Sequence, residues 1–125
     1  MSKVSRDSGQ FMAMGPGEDR YEDLAGYTTE FVTFLQDVDS TEHLKGLPDD
    51  SCQCPHWGYV FKGRLTFNFS DHTEVLEPGD AFHLQPGHVM LAEAGTEYLQ
   101  FSPKEELAAV SAAIRRNIEA MEGAK

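Results

Sequence analysis

The second half of the chain is cut by turn residues into short apolar segments, and this pattern constrains the fold more than any other feature. Between residues 56 and 101, turns are indicated at Gly63, Asp71, Gly79, Gly87 and Gly95. Within one segment, Leu65, Phe67 and Phe69 alternate with polar residues, as in a strand with one buried and one solvated face. Strands this short, with turns this frequent, predict an antiparallel sandwich or barrel.

The first part of the chain adds one clear strand and a polar start. Residues 27–35 are rich in β-branched and aromatic side chains, which favour strands. Residues 1–9 are polar and predict a flexible arm. The remaining residues, 10–125, are enough for one hydrophobic core and predict a single domain.

The last segment changes to a helical period. Its apolar residues recur at steps of three and four, which predicts an amphipathic helix over 103–122: Leu107, Val110, Ile114, Ile118 and Met121. Ser102 is the predicted N-cap, and Glu105 completes a capping box three residues later. An apolar stripe of this kind is usually core. A helix that covers an open side of the β-domain is therefore favoured over one that binds a partner.

Charge and cysteine content narrow the function classes. The 125 residues carry a formal net charge of −11, so phosphate backbones and anionic membrane surfaces would be repelled. No stretch has the length and hydrophobicity of a membrane span or a signal peptide. Cys52 and Cys54 are separated by one residue, too close for an unstrained disulfide. We therefore expect a reduced, cytoplasmic protein that binds neither nucleic acid nor membranes.

Three segments together resemble a known family. The sequence GYVFKG at 58–63, followed by PGD at 78–80 and PG at 86–87, is similar to the two linked motifs of the cupins. The resemblance covers about residues 50–101. It implies an all-β, cupin-like jelly-roll barrel of two antiparallel sheets, here with one C-terminal α-helix. It also implies a divalent metal in the barrel mouth, held by two His and a Glu from the first motif and a His from the second.

The metal-ligand positions of the cupin motifs are occupied by other residue types. Counted from Gly63 and Gly87, they fall on Asp50, Cys52, His56 and Met90. None of the four carries the family's ligand for its position. The resemblance therefore predicts the fold better than it predicts any activity.

The residues themselves suggest a different set of ligands. If the chain is extended, Cys52, Cys54 and His56 share one face, and His88 shares its face with Met90. Thiolates and imidazoles suit zinc ahead of iron or manganese, so we predict a metal site formed by His56, His88, Cys52 and Cys54. Residues four apart on a straight strand are separated by roughly 13 Å, so the chain must bend, and Pro55 is a candidate bend.

Alternatives to this site remain open. The cysteines can act as small buried hydrophobic residues, and His56 and His88 can be hydrogen-bonded barrel histidines. A cysteine nucleophile with a histidine base is a further alternative. His43 and His72 lie in polar connections and are expected at the surface.

Two function classes follow for the pocket, and no catalytic residue or substrate is identified. One is a metal-dependent enzyme acting on a small organic molecule, of dioxygenase, isomerase or lyase type. The other is a non-catalytic barrel that binds or senses a small molecule, with a structural metal or none. Three protein ligands on zinc favour the first class and four favour the second.

A homodimer is the expected assembly. The strand at 27–35 and the apolar stripe of the helix offer more apolar surface than a small barrel covers easily. Screening by physiological salt leaves short-range apolar contacts free to form in spite of the negative charge.

Overall fold

The computed structural model describes residues 2–123, so the first residue of the predicted arm and the last two of the predicted domain lie outside the described residues. Ten strands precede one α-helix in this range. The strands are β1 Gln10–Met14, β2 Gly17–Leu24, β3 Tyr27–Phe34, β4 Val38–Asp39, β5 His56–Lys62, β6 Leu65–Asn68, β7 Thr73–Leu76, β8 Ala81–Leu84, β9 Val89–Ala92 and β10 Glu97–Pro103. Two 3-10 helices, Glu42–Leu44 and Pro48–Asp50, lie between β4 and β5, and helix α1 spans Lys104–Gly123.

The strands form two antiparallel sheets. The larger has six strands in the order β1-β2-β3-β10-β5-β8, and the smaller has four in the order β4-β9-β6-β7. This arrangement confirms the predicted fold class of two antiparallel sheets with one C-terminal helix. The chain therefore places strands from its first and last thirds, β3 and β10, side by side in the larger sheet.

The inward faces of the two sheets form the main core. Val60 of β5 and Leu65 of β6 are fully buried, and Phe67 is 2% exposed. The alternation in β6 therefore runs as predicted, and Phe69 just beyond the strand packs against the same core while half-buried. Residues of the opposite parity in the larger sheet, such as Trp57 and Tyr59, remain on its outer face.

Gly58 allows a close approach between two strands. A Cβ at this position would lie 2.5 Å from Cζ of Phe82 and would collide with the carbonyl oxygen of Leu99. The missing side chain lets the Phe82 ring, on the neighbouring strand β8, cover β5 and enter the core. The glycine of the cupin-like motif thus has a packing role.

Helix α1 packs on its own domain, as the favoured interpretation of its apolar stripe predicts. Val110 is buried in a second cluster with Leu44, and Leu107 and Ile114 pack against that cluster. The side-chain amide of Asn117 donates hydrogen bonds of 2.8 Å to the carbonyl oxygens of His43 and Lys45. The helix is thereby fixed to the connection between the two sheets.

The predicted N-cap of this helix is wrong. Strand β10 continues to Pro103, so Ser102 lies inside the strand and is fully buried. Its hydroxyl contacts a histidine ring in the interior instead of the first turn of the helix.

The residues before β1 contact the larger sheet. Arg6 forms an ion pair with Glu97 and lies 4.8 Å above the ring centre of Phe61. Ser8 donates a backbone hydrogen bond of 3.1 Å to the carbonyl oxygen of Ser5.

Candidate metal centre

Cys52, His56 and His88 converge in the interior. Each residue offers one ligand atom, the sulfur of the cysteine or a ring nitrogen of a histidine, and these three atoms all lie within 4.8 Å of one another. All three residues are buried, with exposed fractions of 6%, 5% and 2%. They come from three segments: Cys52 follows the second 3-10 helix, His56 begins β5, and His88 immediately precedes β9. Such a group is a candidate site for one metal ion.

Backbone pairing holds two of these segments together. The Cys52 amide donates a 2.8 Å hydrogen bond to the His88 carbonyl oxygen, and the Gly87 amide donates one of 2.7 Å to the Cys52 carbonyl oxygen. Gly87 has φ of +97°, a conformation that glycine adopts without strain. The turn before β9 can therefore carry His88 alongside Cys52.

The chain bends between Cys52 and His56, as the reach of a metal site requires. Strand β5 begins only at His56, after Pro55, so the segment before it is not part of a straight strand. The Cys52 Sγ lies 3.5 Å from His56 Nε2, far less than the spacing of residues four apart on an extended strand.

Both histidines are oriented by hydrogen bonds at Nδ1. His88 Nδ1 lies 2.7 Å from the carbonyl oxygen of Gln85, which only accepts, so Nδ1 carries the hydrogen and Nε2 keeps its lone pair. His56 Nδ1 lies 2.7 Å from the Ser102 hydroxyl, which leaves its Nε2 facing Cys52. Histidine ligands of metals characteristically have such a partner on the second ring nitrogen.

Burial sets the protonation of the group. It lowers the pKa of His56 to about 3, with a further contribution from His88, and it lowers the pKa of His88 as well. Burial raises the pKa of the Cys52 thiol to about 11. At neutral pH the imidazoles are thus in the neutral form that binds metals. The thiol must release its proton when a metal binds.

This set of ligands fits zinc. Two imidazole nitrogens and one sulfur are among the donors that zinc takes in proteins, and they suit magnesium or calcium poorly. Three protein ligands also leave one position of a tetrahedral ion free.

Cys54 lies outside the group of three. It is fully buried beside Leu44 and Val110, below helix α1, and its thiol donates a 3.4 Å hydrogen bond to the Pro55 carbonyl oxygen. The alternation that placed Cys54 on the face of His56 holds only within a strand, and no strand includes Cys54. Its surroundings are those of a small buried hydrophobic residue, and burial raises its thiol pKa to about 12.

The other cupin ligand positions also lie outside the group. Asp50 is exposed, and its carboxylate accepts a 3.0 Å hydrogen bond from the Gly46 amide. Met90, two residues beyond His88, lines the cavity beside the group of three. Compared with the ligand position of the second cupin motif, which falls on Met90, the candidate ligand His88 therefore lies two residues closer to the turn.

The three residues form part of the wall of a cavity of about 190 Å³. Both sheets and helix α1 contribute apolar side chains to it: Phe34, Val38, Phe67, Met90, Leu107, Val110, Ile114 and Ile118. His43 also lines it and is half-buried, which corrects the expectation of a surface position. Burial lowers the pKa of His43. His72 is exposed, as expected, and is stacked on Phe69.

A second polar group on the cavity wall was missed by the sequence reasoning. The Gln100 amide donates a 2.9 Å hydrogen bond to Glu30, and the carboxyl of Asp19 hydrogen-bonds with that of Glu30. Burial and the neighbouring carboxylate raise the pKa of Asp19 well above its usual range. Among the described residues, Asp19 Oδ1 is buried without a hydrogen-bond partner. The available signal was Glu30, a charged residue at an inward position of a predicted strand.

Comparison with known proteins finds likeness at the level of structure. No protein-family model matches the chain, and no curated protein is a significant match. Among solved structures, a sugar phosphate isomerase from Silicibacter pomeroyi, described as a cupin-superfamily protein, aligns at TM-score 0.59 and 14% identity. The alignment covers 81% of this chain and 74% of the other. KdgF from a Halomonas species aligns at TM-score 0.57 and 18% identity, covering 82% and 94%. An RmlC-like cupin of Shewanella frigidimarina aligns at TM-score 0.55 and 16% identity, covering 80% and 88%.

Within the part of the chain that the structure describes, no helix has the length and apolar character needed to cross a bilayer.

The likenesses to solved structures concern the fold. The two sheets, the motif glycines and the aligned structures agree with one another. The chain has a cupin fold.

Proposed function

We propose that this protein is a small cupin that binds one zinc ion through Cys52, His56 and His88 and uses it to hold or transform a small organic molecule in the adjoining cavity. The observation that carries the proposal is the convergence of three ligand atoms within 4.8 Å on a cavity wall. The hydrogen bonds at Nδ1 of both histidines support it, because they orient the rings before any metal arrives.

An open coordination position distinguishes an enzyme from a structural metal site. Three protein ligands leave room for a substrate atom or water, whereas structural zinc is held by four. Bound zinc supplies a Lewis acid that polarises an oxygen atom or lowers the pKa of a bound water. The chain's own residues hold the ion, orient the imidazoles and exclude bulk water with the apolar cavity wall.

The alternative is a non-catalytic binding or sensing barrel. Cys54 is two residues from Cys52, and a small rearrangement that brought its thiol to the ion would close the fourth position. Its location below α1, outside the group of three, favours the open site.

Elemental analysis tests the proposal directly. Protein purified without chelator or a metal-affinity tag is expected to contain close to one zinc per chain, and added zinc is expected to raise the melting temperature of metal-free protein. Less than about a tenth of an equivalent, with no such rise, would overturn the zinc site, because a ligand of the native state must stabilise it.

Cys52→Ser and Cys54→Ser form a matched pair for this measurement. Both substitutions replace a buried thiol by a hydroxyl, two residues apart. We expect Cys52→Ser to lose most of the zinc and Cys54→Ser to retain it. Equal losses from both variants would favour a closed, structural site with four ligands.

Thiolate ligation also bears on the compartment. Cys52 and Cys54 are both free thiols, and Cys52 can bind zinc only while it remains reduced. We therefore propose a cytoplasmic location. Fractionation of cells that produce the protein from its own gene tests this.

A further inference from the structure

The same cavity holds an acidic pair that the metal site does not use. Asp19 of β2 and Glu30 of β3 both line the cavity, and their carboxyl groups are in contact. The strand register explains the contact. Asp19 is paired with Val32 and Tyr21 with Glu30, so Asp19 and Glu30 are diagonal neighbours on one face of the sheet.

Strand β10 connects this pair to the candidate metal centre. Gln100 donates to Glu30, and Ser102, two residues further along the same face, contacts His56. Residues two apart on a strand are separated by about 7 Å. A molecule a few bonds long can therefore contact both groups.

The acidic pair is arranged to carry one negative charge. Two carboxylates in contact cannot both ionise easily, so one of them keeps its proton. The amide hydrogen of Gln100 is directed at Glu30 and stabilises the charge there. Asp19, which has a buried oxygen without a partner, is the protonated member.

The cavity offers this negative charge no positive side chain. Among the described residues that line it, none is a lysine or an arginine. The negative formal charge of the whole chain, −11, adds a field of the same sign. The proposed zinc ion brings positive charge only to the other end of the cavity. At the Asp19–Glu30 end, a phosphate or carboxylate group would therefore be repelled and a cation attracted.

Size limits the ligand further. The cavity, at about 190 Å³, is slightly larger than the cavity of about 150 Å³ that is known to accommodate benzene in another protein. The apolar side chains from both sheets and α1 leave room for a short hydrocarbon chain between the two polar ends.

We infer that the cavity selects small organic cations: amines whose ammonium group binds the Asp19–Glu30 pair and whose oxygen substituent points toward Cys52, His56 and His88. The inference rests on the proposed function, because it names the ligand class of the same site. The ammonium supplies the hydrogen-bond donors and the positive charge that the cavity wall lacks.

Three matched probes test this inference: 3-amino-1-propanol, 1,3-propanediol and 3-hydroxypropanoate. They share a three-carbon chain and a hydroxyl and differ in the charge of the other end. Each is titrated calorimetrically into full-length, zinc-loaded protein. We expect the amine to bind at least about tenfold more tightly than the diol, a difference of about 1.4 kcal/mol. In metal-free protein, where no zinc ion can bind its carboxylate, the hydroxy acid is expected to bind most weakly.

The double variant Asp19→Asn, Glu30→Gln removes both carboxyl groups of the pair and is expected to abolish the preference for the amine without changing the zinc content. Glu22→Gln is the matched control, because it removes the same charge from β2 at a position of opposite parity to Asp19. The control is expected to keep the preference.

Several outcomes would overturn the inference. These are equal or tighter binding of the diol, equal or tighter binding of the hydroxy acid to metal-free protein, no measurable binding of the amine, and a preference for the amine that persists in the double variant. Zinc content is measured on every sample, and the titrations are repeated on metal-free protein, where the amine is again expected to bind more tightly than the diol. If the samples contain no zinc but the probes keep this order of affinities, only the proposed zinc site is rejected.

Discussion

The hydroxyl oxygen of Ser102 lies 2.7 Å from Nδ1 of His56, and the two residues are 46 positions apart in the chain. The contact crosses from β10 to the start of β5, which are neighbouring strands in the larger sheet. It fixes the plane of the imidazole and directs Nε2 toward the Cys52 sulfur. The last residues of the final strand therefore help to shape a site whose ligands lie earlier in the chain.

Ser102→Ala is expected to weaken zinc binding by about 10- to 100-fold, because the imidazole loses the partner that orients it. Competition with a chromogenic chelator measures the affinity. Ser111→Ala is the control, since Ser111 lines the same cavity from helix α1. An unchanged zinc affinity in Ser102→Ala would show that the Ser102 contact does not position a ligand.

Phe67→Ala is expected to reduce the free energy of unfolding by about 3–5 kcal/mol, because Phe67 is 2% exposed and lies between the two sheets. Val75→Ala, at an exposed position of β7, is expected to change it by less than about 0.5 kcal/mol. Urea denaturation of both variants provides the comparison. A loss below about 1 kcal/mol for Phe67→Ala would contradict its placement in the core.

Gly58→Ala is expected to destabilise the protein by about 1–3 kcal/mol or more, because the added methyl group meets the Phe82 ring and the Leu99 carbonyl oxygen. Gly123→Ala is the matched control, since nothing lies within 4 Å of the corresponding atom. Differential scanning calorimetry compares the melting temperatures. Equal melting temperatures for the two variants would mean that β5 and β8 are further apart than described.

Asp19→Asn is expected to stabilise the protein more at pH 8 than at pH 4. The pKa of Asp19 is raised in the fold from its ordinary value of 3.8. The unfolded chain therefore releases a proton that the fold retains, and stability is lost as the pH rises above about 4. Between about pH 4 and the raised pKa of about 10, each pH unit reduces the free energy of unfolding by up to about 1.4 kcal/mol. Asparagine, which does not ionise, avoids this loss. A pH-independent effect on the melting temperature would contradict a protonated Asp19.

We propose that a homodimer forms through the outer face of the larger sheet. Four aromatic side chains are each more than a third exposed on this face: Tyr27, Trp57, Tyr59 and Phe101. The rings of Tyr27 and Trp57 are packed edge to face, with their centres 6.1 Å apart. The stripe of α1, which the sequence suggested as part of the interface, packs against its own domain, so the interface proposed here does not include it. An aromatic patch on one face is suited to pairing by twofold symmetry.

Light scattering is expected to give a mass near twice 13.9 kDa, and Trp57→Lys is expected to give the monomer mass. Val75→Lys places the same charge on the smaller sheet and is expected to leave the dimer intact. A monomeric wild-type protein at micromolar concentration would reject the proposed interface.

The features that the sequence predicted well are those that depend on local pattern. Leu65 and Phe67 alternate with polar residues, and the structure buries both. The strand expected at 27–35 is observed as Tyr27–Phe34. The turn glycines Gly63 and Gly79 have positive φ, which restricts such turns to a few residue types. Each of these properties is determined by near neighbours in the chain.

The features that the sequence did not predict depend on pairing between distant segments. Gln100 and Glu30 are 70 residues apart, and only the register of β10 on β3 makes them neighbours. Cys54 could not be separated from Cys52 by alternation, because both precede the strand that defines the two faces. The sequence pattern predicts Ser102 as a helix cap because the end of β10 has no sharp signal in the sequence.

The three candidate ligands also lie on parts of the chain that must separate when the protein unfolds. His56 belongs to the larger sheet, whereas His88 leads directly into β9 of the smaller one. An ion bound to both would join the two layers of the sandwich. The lifetime of the folded state in the presence of a protease would then depend on how fast the ion dissociates, and a chelator would shorten it.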